Sequence, residues 1–329
     1  MRLLLIYLFT LMPLLASAQT ESLPKRLDKK LTTRYYKSKY DSTYVIRPEE
    51  KWLLRLLLNQ TGNHIHAEGT VSDVWSRYDL RSSYNTSLGL EVNYCDIAAS
   101  VSMNPGKING DYTDYEFNFE YHGQQFSFDV NYLRSTSLSG DIHLGDMSHL
   151  DEEGIRMNVV NLAAYYVFNH RQFSYPAALY QNYYQLRSAG SWLAGISYQG
   201  GSIKTTDELK QRSPQAPYVH LTFSNIGIGG GYCYNWVLGS RSQWLLHLSA
   251  MPTFTVFKHN KLIVNDRERR DSRPSINMIF NERASVVYHF SPRYNIGATM
   301  LMTNSFFDDS KVLVIQDKWL VRTFLGVRL

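Results

Sequence analysis

Apolar and polar residues alternate strictly over parts of this chain. From Asp114 to His122, Tyr115, Phe117, Phe119 and Tyr121 fall on one side, and Asp114, Glu116, Asn118, Glu120 and His122 on the other. Side chains point to opposite faces at successive positions of a strand, so this pattern predicts a strand with one apolar and one wet face. A Gly123-Gln124 turn follows, then Phe126, Phe128, Val130 and Tyr132 alternate with Gln125, Ser127, Asp129 and Asn131. The two runs read as a hairpin. The C-terminus repeats the pattern: Trp319, Val321, Thr323, Leu325, Val327 and Leu329 oppose Lys318, Leu320, Arg322, Phe324, Gly326 and Arg328.

The same reading places further strands at 51–66, 78–94, 97–104, 155–169, 188–200, 219–236, 243–257, 275–290 and 294–304. About twelve strands result, enough for one closed barrel. Their connections alternate in length. Cys95-Asp96, Gly123-Gln124, 237–242 and 291–293 are short, whereas 67–77, 105–113, 135–154, 201–218, 258–274 and 305–317 are longer and polar. Transmembrane barrels put short turns on the periplasmic side and long loops outside. The expected fold is an all-β, transmembrane antiparallel up-and-down barrel over 49–329, preceded by a periplasmic arm over 19–48. A soluble periplasmic β-protein remains the alternative architecture. One connection breaks the rule: 170–187 is long and aromatic, with Phe173, Tyr175, Pro176, Tyr183 and Tyr184. It is expected either to plug the lumen or to pack on the rim.

Composition fits a barrel. Aromatics make up 14% of the chain and mean hydropathy is -0.31. A membrane helix needs about 20 apolar residues in a row, and none exists after the first twenty positions. The opening segment reads as a cleaved signal peptide: Arg2, an apolar core from Leu3 to Leu15, and Ala16-Ser17-Ala18 as the cleavage site. Net charge of +5 is spread without basic clusters interleaved with aromatics, so no nucleic acid is expected as a partner. Cys95 and Cys233 form no CxxC motif and fall on strands that are not neighbours, so no disulfide is expected between them.

Three segments carry a family resemblance: Glu50-Lys51-Trp52 to Asn59, Phe173-Ser174-Tyr175-Pro176-Ala177-Ala178, and Arg187-Ser188-Ala189-Gly190-Ser191-Trp192-Leu193. Here the chain resembles an uncharacterised Bacteroidota family of exported outer-membrane barrel proteins, described only as a domain of unknown function. The resemblance spans nearly all of the mature chain. It implies the location and a single barrel domain, and it brings no activity and no site residues.

The inward face is expected to carry Glu91, Glu116, Glu120 and Asp129 from early strands. Arg283, Lys318, Arg322 and Arg328 come from late strands, with Arg55 from the first. Across a narrow lumen these charges would pair and seal it; across a wide one they would leave a transverse field that orients solutes. A porin-like small pore, or a solute-binding or structural barrel, is the leading expectation. Its partners would be outer-membrane lipids and, through the C-terminal strand, the barrel assembly machinery; the solute is unknown. The second reading is an outer-membrane lipid hydrolase using His247 and Ser249, with Asn260 to orient the histidine. Alternation points that pair into the lumen, whereas a lipid-cleaving dyad should open toward the bilayer. His289 and Ser291 repeat the spacing at a strand end. Asp308-Asp309 and Asp266 with Glu268 could attract calcium, but loop carboxylates are more often solvated, so no metal is expected. Gly227, Gly229, Gly230 and Gly231 lie in a strand and not before a helix, so they are no phosphate loop. No cofactor is expected.

Overall fold

The computed structural model describes residues 23–37, 39–71, 74–82, 85–95, 97–103, 115–136, 138–144, 147–212, 218–265, 267–271, 277–309 and 312–329. The segment expected to be a signal peptide lies outside them. The chain divides into two units, 1–39 and 40–329. The first contains one helix, α1 (Leu23–Tyr36), inside the expected arm.

The second unit is a barrel of twelve strands. They are β1 (Trp52–Val71), β2 (Asn85–Tyr94), β3 (Ile97–Met103), β4 (Tyr115–His122), β5 (Phe126–Ser135) and β6 (Ile155–Val167), followed by β7 (Ala189–Thr205), β8 (Val219–Leu238), β9 (Trp244–Val264), β10 (Met278–His289), β11 (Tyr294–Asp309) and β12 (Val312–Arg328). Each pairs antiparallel with the next, and β12 returns to β1, from Val312 opposite Gly69 to Arg328 opposite Leu53. Closure leaves no edge in this ring, which is what a sheet in lipid requires.

The two faces are inverted relative to a soluble sheet. Leu56, Leu90, Trp192, Ile228, Leu248, Phe254 and Leu325 are exposed on the outside, while Arg55, Glu91, Asn235, Arg322 and Arg328 are buried inside. Such a surface is stable only against an apolar solvent. β8 and β9 run to 20 and 21 residues, about twice what a bilayer needs, so their outer halves stand clear of the apolar band.

Those outer halves correct the sequence reading. Much of the connections expected at 67–77, 258–274 and 305–317 is strand. β1 continues to Val71, and a strand resumes at Val74. β9 runs to Val264, and Arg267–Asp271 folds back on it. β11 and β12 leave only 310–311 between them. Outside the bilayer neither face needs to be apolar, so the period of two disappears from the sequence while the hydrogen-bond ladder continues.

The outer part of the wall also closes differently. Val74–Ser82 pairs with the outer half of β1, and its other side pairs with Leu138–Leu144, which follows β5 and carries Met147–Leu150. β2, β3 and β4 are bypassed at this level. Ile65, Leu80, Leu138, Ile142, Leu150, Met157 and Val159 form a buried apolar core there, with Leu133, Ile203, Leu209, Phe223 and Val314 packed against it. Ile65 comes from β1, Leu80, Leu138, Ile142 and Leu150 from the three outer strands, and Met157 and Val159 from β6, while Ile203, Phe223 and Val314 of β7, β8 and β12 pack against them, so the core joins β1 to β6 across the outer level.

Lipid exposure of the outer face gives a direct expectation. Leu248→Arg should destabilise the barrel by about 2–4 kcal/mol near the bilayer midplane. Urea unfolding of vesicle-embedded protein measures it. A change near zero would mean that this face does not meet lipid.

Candidate functional site

The lumen collects the polar side chains, and three levels can be followed from the end with the short turns toward the end with the extended strands. At the first level, the segment between β6 and β7 folds back inside. Its core is a one-turn helix, α2 (Tyr175–Leu179), started by Ser174, whose hydroxyl accepts a hydrogen bond from Ala177 N at 3.1 Å. Pro176 sits in its first turn, where a missing N–H costs nothing. Phe173, Tyr175, Tyr180 and Tyr183 are all buried. Tyr184–Gln185 pairs with Val45–Ile46 of the N-terminal stretch.

Polar clamps hold this segment from several sectors of the wall. Arg55 on β1 donates to Leu179 O at 3.0 Å and to Gln181 Oε1 at 2.8 Å. Arg328 on β12 donates to Gln181 O at 2.7 Å and to the Tyr184 hydroxyl. Ser285 on β10 donates to Ala178 O at 2.7 Å, and Asn235 on β8 to Ser174 O at 3.0 Å. Gln185 Oε1 accepts from Ser174 N at 2.9 Å. These contacts seat the segment against β1, β8, β10 and β12. Burial raises the pKa of the Tyr175 and Tyr184 hydroxyls, with Arg283 and Arg328 respectively opposing it, so both remain neutral.

The second level is a charged belt. Arg55 pairs with Glu91 through Nε at 2.7 Å and also through Nη2. Arg322 adds a second contact to Glu91 at 3.4 Å. Arg283 on β10 reaches Asp129 on β5 at 2.6 Å and donates to the Tyr165 hydroxyl at 2.8 Å. β5 and β10 stand nearly opposite in the ring, so this pair spans the lumen. Lys318 donates to Asn131 Oδ1 at 3.2 Å. Glu116 and Glu120 occupy positions opposite Leu133 and Asp129 on β5; their side chains lie outside the described residues.

The third level is a cavity of about 150 Å³ beneath the apolar outer core. Leu133 and Val159 contribute to both the cavity wall and that core. Val130, Leu162, Ile279, Leu301 and Leu320 add to its apolar surface, and amide, hydroxyl and charged groups are set among them, including Asn161, Ser197, Gln199, Asn281, Thr303 and Arg283. Ser197 Oγ, Gln199 Oε1 and Arg283 Nη1 are buried there without a hydrogen-bond partner among the described residues. At roughly 30 Å³ for each water, such a volume holds about five.

His247 and Ser249 lie under the plug. His247 Nδ1 is 2.7 Å from Asn235 Oδ1, and Phe173 and Tyr175 pack on its ring at 6.1 and 5.4 Å. Asn235, which the sequence reading passed over, is the partner of this ring. The intervening Leu248 faces outward at 54% exposure, so the pair is turned away from lipid. His289 packs on Tyr184 at 5.0 Å, while Ser291 caps a turn by accepting from Arg293 N and Tyr294 N. Glu268 pairs with Lys261 at 2.8 Å. Asp266 and the side chains of Asp308 and Asp309 lie outside the described residues. A Cβ on Gly231 would meet Ala250 O at 2.1 Å, so glycine there permits close approach of β8 and β9. Cys95 and Cys233 are buried and not joined to each other.

A family model described as a domain of unknown function (DUF4421) matches residues 39–328. No curated protein matches. Among solved structures, the chain is similar to the outer membrane protease OmpT from Escherichia coli, with TM-score 0.46, 7% identity, and 86% of this chain and 98% of that chain covered. It is also similar to the outer membrane protein OprG from Pseudomonas aeruginosa, with TM-score 0.30, 10% identity and coverage of 86% and 99%. The translocator domain of autotransporter NalP from Neisseria meningitidis gives TM-score 0.31, 7% identity and coverage of 93% and 95%.

The belt predicts an asymmetric response to mutation. Arg55→Met should cost about 3–5 kcal/mol, because it leaves buried Glu91 short of a partner. Adding Glu91→Gln should recover part of that loss, and a double-mutant cycle in urea measures the coupling. Strict additivity would mean that the two side chains do not depend on each other.

Proposed function

The chain belongs to the DUF4421 family, and we propose that it works as a closed, solute-binding barrel of the outer membrane and not as an open pore. The observation that carries this reading is the sequence of barriers along the lumen. An apolar core lies at the outer level, the Arg283–Asp129 pair crosses below it, and the segment around α2 fills the periplasmic level. Between the first two lies the polar cavity. Its Gln199 Oε1 needs a donor and its Arg283 Nη1 needs an acceptor. A hydroxyl group is both, so small neutral solutes that carry a hydroxyl on an apolar body fit this mixed wall.

The lipid-facing apolar surface supports residence in the outer membrane. The A-x-A site supports export by a cleaved signal peptide. The resemblance to exported Bacteroidota proteins supports a Gram-negative source of that kind. The terminal strand, which ends on a backbone pair between Leu329 and Trp52, supports delivery through the barrel assembly machinery. His247 and Ser249 favour no second reading, since the plug covers both.

Planar-bilayer recording tests the closed lumen. The unmodified protein should show no stable conductance. Asn235→Ala combined with Ser285→Ala removes two clamps of the segment without stranding a buried charge, and should still show no stable conductance, because the outer apolar core and the Arg283–Asp129 pair remain in place. Steady conductance from the unmodified protein would return the chain to the open-pore reading.

A further inference from the structure

The helix α1 is where the net charge of this protein resides. It carries Lys25, Arg26, Lys29, Lys30 and Arg34 against a single acid, Asp28, so it holds +4 of the chain's +5 in 14 residues. Lys25, Arg26, Lys29 and Lys30 are exposed. Two of these cations stand in the first turn, and no acid does. That is the wrong sign for the helix dipole, which favours anions at its N-terminus. Lys25 and Arg26 therefore do not serve the helix itself, in contrast to Arg34 in its last turn. A helix of this length is also marginal in water unless something packs against it. Yet Leu27 is 56% exposed and Tyr36 49%. Leu27 and Leu31 lie four residues apart, on one side of the helix.

An anionic, partly apolar surface supplies what is missing. It neutralises the lysines and takes up the leucines, and it relieves the charge at the first turn. Three residues separate α1 from Tyr40, whose hydroxyl donates to Ser174 Oγ at the start of α2. Whatever surface α1 uses must lie within that short tether. We propose that α1 is an interfacial anchor that lies on anionic phospholipid headgroups at the periplasmic surface of the membrane holding the barrel. Charge complementarity selects this occupant. The inference rests on the membrane reading of the barrel, but not on the cavity or the plug.

The test uses the full mature chain in nanodiscs, labelled with an environment-sensitive fluorophore through Leu27→Cys. Cys95 and Cys233 are buried and stay unlabelled. Emission should shift to the blue in discs rich in phosphatidylglycerol, and not in discs of phosphatidylcholine alone. High salt should reverse the shift. Lys25→Gln, Lys29→Gln and Lys30→Gln together should abolish it, losing roughly fivefold in affinity per lysine, while arginine at the same three positions should preserve it. Heat-dependent gel mobility verifies that each variant keeps its barrel; failure to enter the discs at all would instead sink the membrane reading. A shift of equal size in both lipids would show α1 packed on protein and overturn the proposal. A shift that grows with protein concentration would show a second copy as the occupant and overturn it as well. So would a solvent-exposed label in both discs.

Discussion

Everything in this barrel follows from the pairing of its last strand with its first. In lipid each unpaired backbone N–H or C=O costs several kcal/mol, so the sheet must close. β12 and β1 do this in continuous register from Gly69 down to Leu53. Closure fixes which side chains point out, and lipid then demands that all of those be apolar. Arg55, Glu91, Arg283, Arg322 and Arg328 are turned inward. The polar lumen is thus a consequence of closure before it is an adaptation to any solute.

A lumen of this width cannot leave five cationic side chains and their acids in bulk water. The structure resolves the conflict by pairing. Glu91 serves both Arg55 and Arg322, and Asp129 serves Arg283 across the barrel. The remaining donor capacity of Arg55 and Arg328 goes to backbone carbonyls of the plug. Two arginines that would otherwise be stranded thereby fix the segment that fills the space beside them. Charge burial and plugging are one arrangement, since removing either leaves the other unsatisfied.

The membrane-embedded half of this design is legible in the sequence because lipid enforces a period of two there. Tyr115 to Tyr121, Phe126 to Tyr132 and Trp319 to Leu329 show it without ambiguity, and the inward position of Arg55, Glu91 and Arg322 follows from counting. The outer half is not legible. Outside the bilayer β9 and β12 keep their ladders, but residues such as Lys258 to Lys261 and Gln316 to Lys318 alternate nothing that marks a face. The plug was visible as an aromatic excess in 170–187. Its clamps were not, because Asn235 and Ser285 look like any other lumen-side polar residue. Only the fold shows that they aim at carbonyls of Ser174 and Ala178.

The two ends of the lumen are closed by different physics, and that difference decides which end can open. The outer core is built of Ile65, Leu80, Leu138, Ile142, Met157 and their neighbours. Exposing it to water costs about 25 cal/mol for each Å² uncovered, with nothing returned. The segment around α2 is held by burial of Phe173, Tyr175, Tyr180 and Tyr183 and also by hydrogen bonds to its backbone. Water replaces such bonds at a net cost of roughly 0.5–1.5 kcal/mol each. The belt behind it keeps Glu91 and Asp129 paired even when the segment leaves. It is tied at Asn169–Arg171 and Leu186–Ser188 by the chain itself, and at Tyr184–Gln185 by the pairing with Val45–Ile46. Water can take over part of what holds this segment and none of what holds the outer core, so under the proposed reading a solute would enter from the segment's side.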